Sequence, residues 1–121
     1  MKYMLMIWNR PGFVTELSDD ERAELFGEVE RLMAELTESG ELIGGQGLAD
    51  PSQARTVREQ AGQPVVSDGP FLESKVQFGG YVAVDCETLE RAEEIARQWP
   101  DVRHGGAIEV RAIMGETTPE T

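Results

Sequence analysis

Cysteine and histidine are almost missing from this chain. Cys86 and His104 each stand alone among 121 residues. One thiol cannot close an intramolecular disulfide, and a lone cysteine fits a reducing cytosol, the compartment expected here. One imidazole and one thiol do not assemble a zinc or iron centre, so no metal site is expected. Positive charge is also short. Eleven basic residues face 23 acidic ones, for a net charge of −12. Such a surface repels nucleic-acid phosphates and anionic lipid, and direct binding to either is not expected. No apolar run approaches the roughly 20 residues of a membrane-spanning helix. The stretch Tyr3 to Trp8 is too short for a signal-peptide core and has no cleavage site. Nothing has the pattern of a nucleophile elbow, a serine triad or a glycosidase carboxylate pair.

What is present is one domain's worth of strands and helices, expected over residues 1–114 with an acidic, frayed tail at 115–121. Tyr3 to Trp8 reads as a strand with apolar residues on both faces, so neither face is meant for water. Ser18-Asp19-Asp20-Glu21 is a capping box. Behind it Leu25, Phe26, Val29, Leu32, Met33 and Leu36 form one apolar stripe at helical spacing, and Gly40 supplies the stop. Glu41 to Leu48 reads as a strand whose glycines predict a bulge or a close approach. Ala54 to Arg58 and Pro64 to Ser67 are short strands around the turn Gln60-Ala61-Gly62-Gln63, a β-hairpin. Phe78 to Val84 is again apolar on both faces. Thr88 caps a second helix with Leu89, Ala92, Ile95, Ala96 and Trp99 on its stripe, ended by Pro100. A flexible polar loop then leads to a last strand, Ala107 to Met114.

With the hairpin set aside, the order is βαββαβ, the α+β ferredoxin-like split unit with an inserted β-hairpin. Two helices cover only one face of its antiparallel sheet. Leaving the other apolar face in water forfeits many kcal/mol at about 25 cal/mol per Å2. Either a second copy covers it, giving a homodimeric α+β barrel with sheets facing each other, or the hairpin folds over it. The dimer is the expectation, because the patch exceeds what a typical monomer exposes.

The densest group of functional side chains is Asp68-Gly69-Pro70-Phe71-Leu72-Glu73-Ser74-Lys75. Pro70 has no N–H to offer Asp68, so that carboxylate must turn to Phe71, a more distant donor or solvent. It is either a turn residue or free for a ligand or for His104. Glu73 and Lys75 are two apart and point the same way in an extended chain, to hold a polar substrate or to make an exposed ion pair. His104, in Arg103-His104-Gly105-Gly106, is either a surface histidine or a proton shuttle. If its loop lies beside the Asp68 turn, the two form a base and its orienter. Tyr81, Trp8 and Gln46 either line the space between sheets or belong to the core.

From Lys2 to Met114 the chain resembles the YCII-related family, in its DGPF subgroup. The resemblance rests on Asp68-Gly69-Pro70-Phe71, then Glu73 and Lys75, then Gly79-Gly80-Tyr81. Gly44-Gly45 with Leu48, Trp99-Pro100, and His104-Gly105 running into Ile108-Glu109-Val110-Arg111 support it. It implies the dimeric ferredoxin-like fold. It also implies small cofactor-independent enzymes, some with a His-Asp pair, and for the subgroup an association with extracytoplasmic-function sigma factors. The chain departs from the subgroup in two places: Val76 stands where an acid is usual, and Asn9 and Arg10 stand where acids often follow the first strand.

The expected function is therefore a cytosolic homodimer binding a small polar or aromatic molecule. Asp68 and His104 would serve acid-base catalysis, and Glu73, Lys75, Tyr81, Gln46 and Trp8 would serve binding. The rival is a protein-binding regulatory module partnered with a sigma factor, its acidic surface meeting a basic one. A fold retained with neither activity is the third possibility.

Overall fold

The computed structural model describes residues 1–117 and 119. Strand β1 (Lys2–Asn9) leads through a 3-10 turn at Phe13–Glu16 into helix α1 (Asp19–Ser39). Ser18 and Glu21 close the capping box. The Ser18 hydroxyl accepts the Glu21 N–H at 3.1 Å, and the Glu21 carboxylate accepts the Ser18 N–H at 3.0 Å. Gly40, at φ 80°, ends the helix in the left-handed conformation that glycine adopts most readily. Strands β2 (Leu42–Gly47), β3 (Arg55–Gln60), β4 (Gln63–Asp68) and β5 (Gln77–Asp85) follow, then helix α2 (Leu89–Arg97) and strand β6 (Ala107–Ala112).

Four strands form one sheet in the order β2-β5-β1-β6, every neighbouring pair antiparallel. With its two helices this is an α+β fold of ferredoxin-like order. The central strands, β5 and β1, are the two whose sequences are apolar on both faces. Alternation along β1 sends Tyr3 and Leu5 to the helices, where they pack with Val82, Val84, Leu32, Leu36, Ala92, Ile95 and Trp99. Each fully buried aliphatic side chain here, Leu5 and Ile95 among them, contributes about 1.5–3 kcal/mol. Alternation also sends Met4, Met6 and Trp8 to the opposite face. There Met4 lies across from Ala83, and Met6 from Tyr81. Gln46 also lies across from Tyr81, from the other side. No helix packs on that face among the described residues.

The glycines of β2 and β5 serve close approach. The register slips between Leu42 and Gly44. Gly80 sits at φ 152°, and a Cβ there would lie 2.6 Å from the Gln46 carbonyl oxygen. β3 and β4 form a separate two-stranded ribbon. Its turn is the expected Gln60–Gln63, closed by the Gln60–Gln63 pair, while the strands run closer to it than Arg58 and Pro64. Ala61 and Gly62 are its central residues, at φ 53° and 80°, the doubly left-handed pattern that matches strand twist.

The stretch expected to be a flexible polar loop is instead a 3-10 helix, Pro100–His104. Pro100 fixes its first residue, and the buried Asp101 carboxylate accepts a hydrogen bond from the Asn9 side-chain amide at 3.0 Å. Gly106 follows, and a Cβ there would run into the Trp8 carbonyl. Phe26 and Leu89, placed on the apolar stripes from sequence, are exposed. β6 stops short of Met114. The Glu116 carboxylate meets the Lys2 ammonium at 2.6 Å, so the tail is held at that point. The rest of the expected tail, Thr118, Glu120 and Thr121, lies outside the described residues. No described helix is long and apolar enough to cross a membrane.

Candidate ligand-binding site

Where β1 ends and β5 begins, the uncovered sheet face runs into a cavity of about 460 Å3. One wall is aromatic: Trp8 and Phe78 meet edge to face, ring centroids 5.4 Å apart. Pro70, Phe71 and Leu72 form the second wall. Leu48 to Pro51, leaving β2, form the third. Hydrogen bonds set these pieces. The Trp8 indole N–H donates to Glu109 at 3.1 Å, orienting the ring. The Gln77 side-chain amide donates to the carbonyls of Leu72 (2.9 Å) and Ser74 (3.0 Å), tying the loop to the sheet. Asp50 accepts the Ser52 N–H at 3.0 Å. Hydrogen bonds from Ser52 hold its carboxyl below the ordinary value.

The lining is apolar apart from Asp50, Gln53 and Gln77, and no lysine, arginine or histidine belongs to it. Such a surface takes a flat, uncharged body by burial and ring contact, and has no cation for a carboxylate or phosphate. Trp8, Leu72 and Gln77 also form a ridge shared with a second recess of about 470 Å3 on the side of β6, floored by Ala107 and Ile108.

Of the residues singled out from sequence, Trp8 lines the cavity. Asp68 does not; its side chain is 89% exposed and lies 3.2 Å from the Arg55 guanidinium. His104 stacks on Phe13, ring centroids 5.5 Å apart, on the 3-10 helix before β6. No hydrogen bond joins Asp68 and His104 among the described residues. Glu73 and Lys75 are exposed and make no ion pair with each other among the described residues. The premise that they stand on an extended chain fails: residues 69–76 bend. Ser74 accepts the Val76 N–H at 3.3 Å, and Gln77 clamps the loop from below. Tyr81 and Gln46 lie on the uncovered sheet face but outside the cavity lining.

Sequence reasoning took the charged residues of the Asp68–Lys75 segment and passed over Phe71, Leu72, Gln77 and Phe78. A signal was available for two of them. Phe71 and Leu72 are large apolar residues in a turn bounded by Gly69 and Ser74, where polar residues are the rule. Gln77 had no signal, because its value lies in two carbonyls that only the folded loop presents.

Comparison with known proteins agrees with this architecture. The YCII-related domain matches residues 1–117. An uncharacterized protein of Rhizobium meliloti (strain 1021), R00369, is 29% identical over 114 residues, which cover 93% of this chain and 92% of that protein. The match takes in the whole sheet, both helices and the cavity walls, and the chain belongs to the YCII-related domain family.

Proposed function

We propose that this chain is a homodimeric small-molecule-binding protein of the DGPF type, and that its ligand is a neutral aromatic molecule seated against Trp8, Phe78 and the Pro70–Leu72 segment. The observation that carries the reading is the apolar cavity, one wall of which is built by Pro70 and Phe71, the second half of the Asp68-Gly69-Pro70-Phe71 motif, with Leu72. Of the two ligand classes weighed from sequence, polar and aromatic, the lining favours the aromatic one. The homodimer is supported by the sheet face carrying Met4, Met6, Trp8 and Tyr81, which no helix covers among the described residues.

Trp8 supplies the assay. Titration with indole or 2-naphthol should quench its emission saturably, while the buried Trp99 contributes a constant background. Phe71→Ala with Leu72→Ala should weaken binding at least tenfold, as expected for removing two apolar contacts. A linear, unsaturable response identical in wild type and variant refutes the site. Acid-base chemistry by Asp68 and His104 is a separate proposal. The binding reading expects His104→Ala to leave the titration unchanged, and loss of turnover of a bound compound in that variant is what would establish catalysis.

A second reading has one observation in its favour. Glu24, Glu28 and Glu35 share a recess of about 250 Å3 with Arg31 and Gln98 on the helical side. Such a groove suits a basic segment of a protein partner, a sigma factor in the regulatory reading. Binding to the purified factor that falls steeply with salt supports it; no binding at low ionic strength removes it.

A further inference from the structure

The β3–β4 ribbon has apolar side chains and almost nothing of its own chain to bury them. Val57 and Val66 are cross-strand partners, 62% and 63% exposed, and Val65 on the other face is exposed too. Its anchors lie at the root. The Gly69 N–H donates to the Ala54 carbonyl at 2.9 Å, the Thr56 hydroxyl donates to the Gly69 carbonyl at 2.8 Å, and Arg58 sits over the Phe71 ring at 5.4 Å. A two-stranded ribbon is at best marginally stable in water without further cover.

The area of the uncovered sheet face decides what that cover is. Four strands about 4.8 Å apart and about seven residues long give a footprint of roughly 400 Å2. A stable interface takes about 800 Å2 from each partner. The sheet face alone falls short by about half, and the ribbon adds about 200 Å2 on each of its two faces. The two surfaces are continuous: Phe71 and Leu72, at the ribbon's root, line the same cavity as Trp8. Charge points the same way. Over residues 55–68, Arg55 and Arg58 balance Glu59 and Asp68, so the ribbon carries no net charge on a chain of −12. It is a part of this molecule that a second, equally acidic copy approaches without repulsion.

We infer that the β3–β4 ribbon is an arm that lies on a second copy of this chain and supplies the part of the dimer interface that the facing sheets lack. The inference rests on the homodimer reading above and is tested apart from it. In Val57→Lys with Val66→Lys, the net charge moves toward zero, which by itself would ease association, so any weakening reports lost apolar contact. Sedimentation velocity over a dilution series should show the wild type as a dimer, with the arm variant's dissociation constant raised roughly a hundredfold or more. A dissociation constant within about threefold of wild type overturns the arm, and dissociation of Met6→Lys in the same series shows that the sheet-face dimer survives that result. A wild type that is monomeric throughout overturns the dimer and the arm together. If circular dichroism shows the arm variant unfolded, amide exchange of the wild type decides. Arg58 and Val65 amides, which pair across the ribbon, protected at high concentration and released on dilution support the arm, and exchange independent of concentration overturns it.

Discussion

Replacing Glu41 with glutamine should cost this fold about 1–2 kcal/mol at neutral pH, and the cost should vanish in acid. Glu41 stands just after the Gly40 stop of α1. Arg91 of α2 donates to it twice, from Nε and Nη2, both at 2.9 Å. Ser39 donates to the same carboxylate at 2.8 Å, and the far side of the guanidinium holds Glu94 at 2.8 Å. The pair thus fastens the α1–β2 corner to α2, fifty residues away in sequence. The Arg91 hydrogen bonds, ahead of the opposing cost of burial, hold the Glu41 carboxyl from 4.5 down to about 2. That displacement corresponds to about 3 kcal/mol of preference for the charged form, a ceiling. The side chains are 17% and 34% exposed, so water screens the pair and leaves the smaller figure.

The direction with pH follows from the depressed value. A carboxyl whose pKa is lowered by folding stabilises the native state above its ordinary range and loses that contribution as pH falls through the folded value. Urea unfolding of wild type and Glu41→Gln should therefore differ most at pH 7. The gap should narrow from about pH 4.5 and close near pH 2. Other carboxylates titrate alike in both proteins, so the difference isolates this one. A gap of equal size at pH 7 and pH 3, or none at pH 7, refutes the reasoning. Coupling of Glu41→Gln to Arg91→Gln in a double-mutant cycle checks that the energy belongs to the pair.

Three further perturbations test the backbone and the core. Gly80→Ala forces a Cβ toward the Gln46 carbonyl from a positive φ, and should destabilise the β2–β5 pairing by about 2–4 kcal/mol, read as a lower urea midpoint. Ala61→Asn places a residue tolerant of the left-handed region where Ala61 now pays for it at φ 53°; a gain of about 0.5–1 kcal/mol is expected, and a loss would contradict the turn geometry. Leu5→Ala opens a void beneath both helices and should cost about 3–5 kcal/mol in the same assay, with the cavity titration of the surviving folded protein unchanged, since Leu5 faces away from Trp8.

The parts of the fold that were legible in the sequence are those whose causes are local. The Ser18–Glu21 box needs only residues three apart, and Gly40 announces its own φ. The two-faced apolar runs of β1 and β5 marked strands with neither face meant for water, because a half-wet strand would alternate. The misreadings have non-local causes. Asp-Val-Arg-His-Gly-Gly is polar enough to pass for a loop, but Asn9 reaches Asp101 across 92 positions and a 3-10 helix forms in its place. Ala61 carries a left-handed conformation that alanine does not advertise. The ribbon's strand pairing sets it, not the residue.

The candidate site shows a different kind of blindness. In a chain of −12, most carboxylates and amines meet water, and a cluster of them in one turn is weak evidence for a pocket. Asp68 found Arg55, while Glu73 and Lys75 stayed on the surface, each outcome ordinary for an acidic protein. The informative residues were the ones a turn should not contain. Phe71 and Leu72 stand exposed in a turn, where polar residues are the rule, and either the proposed ligand in the cavity or the proposed second copy across it would bury them. Both possibilities follow from the same two side chains. For that reason the fluorescence titration and the sedimentation series belong together. A ligand that binds only above the dimer's dissociation constant would place the two occupants on one surface, and a ligand that binds the monomer equally well would separate them.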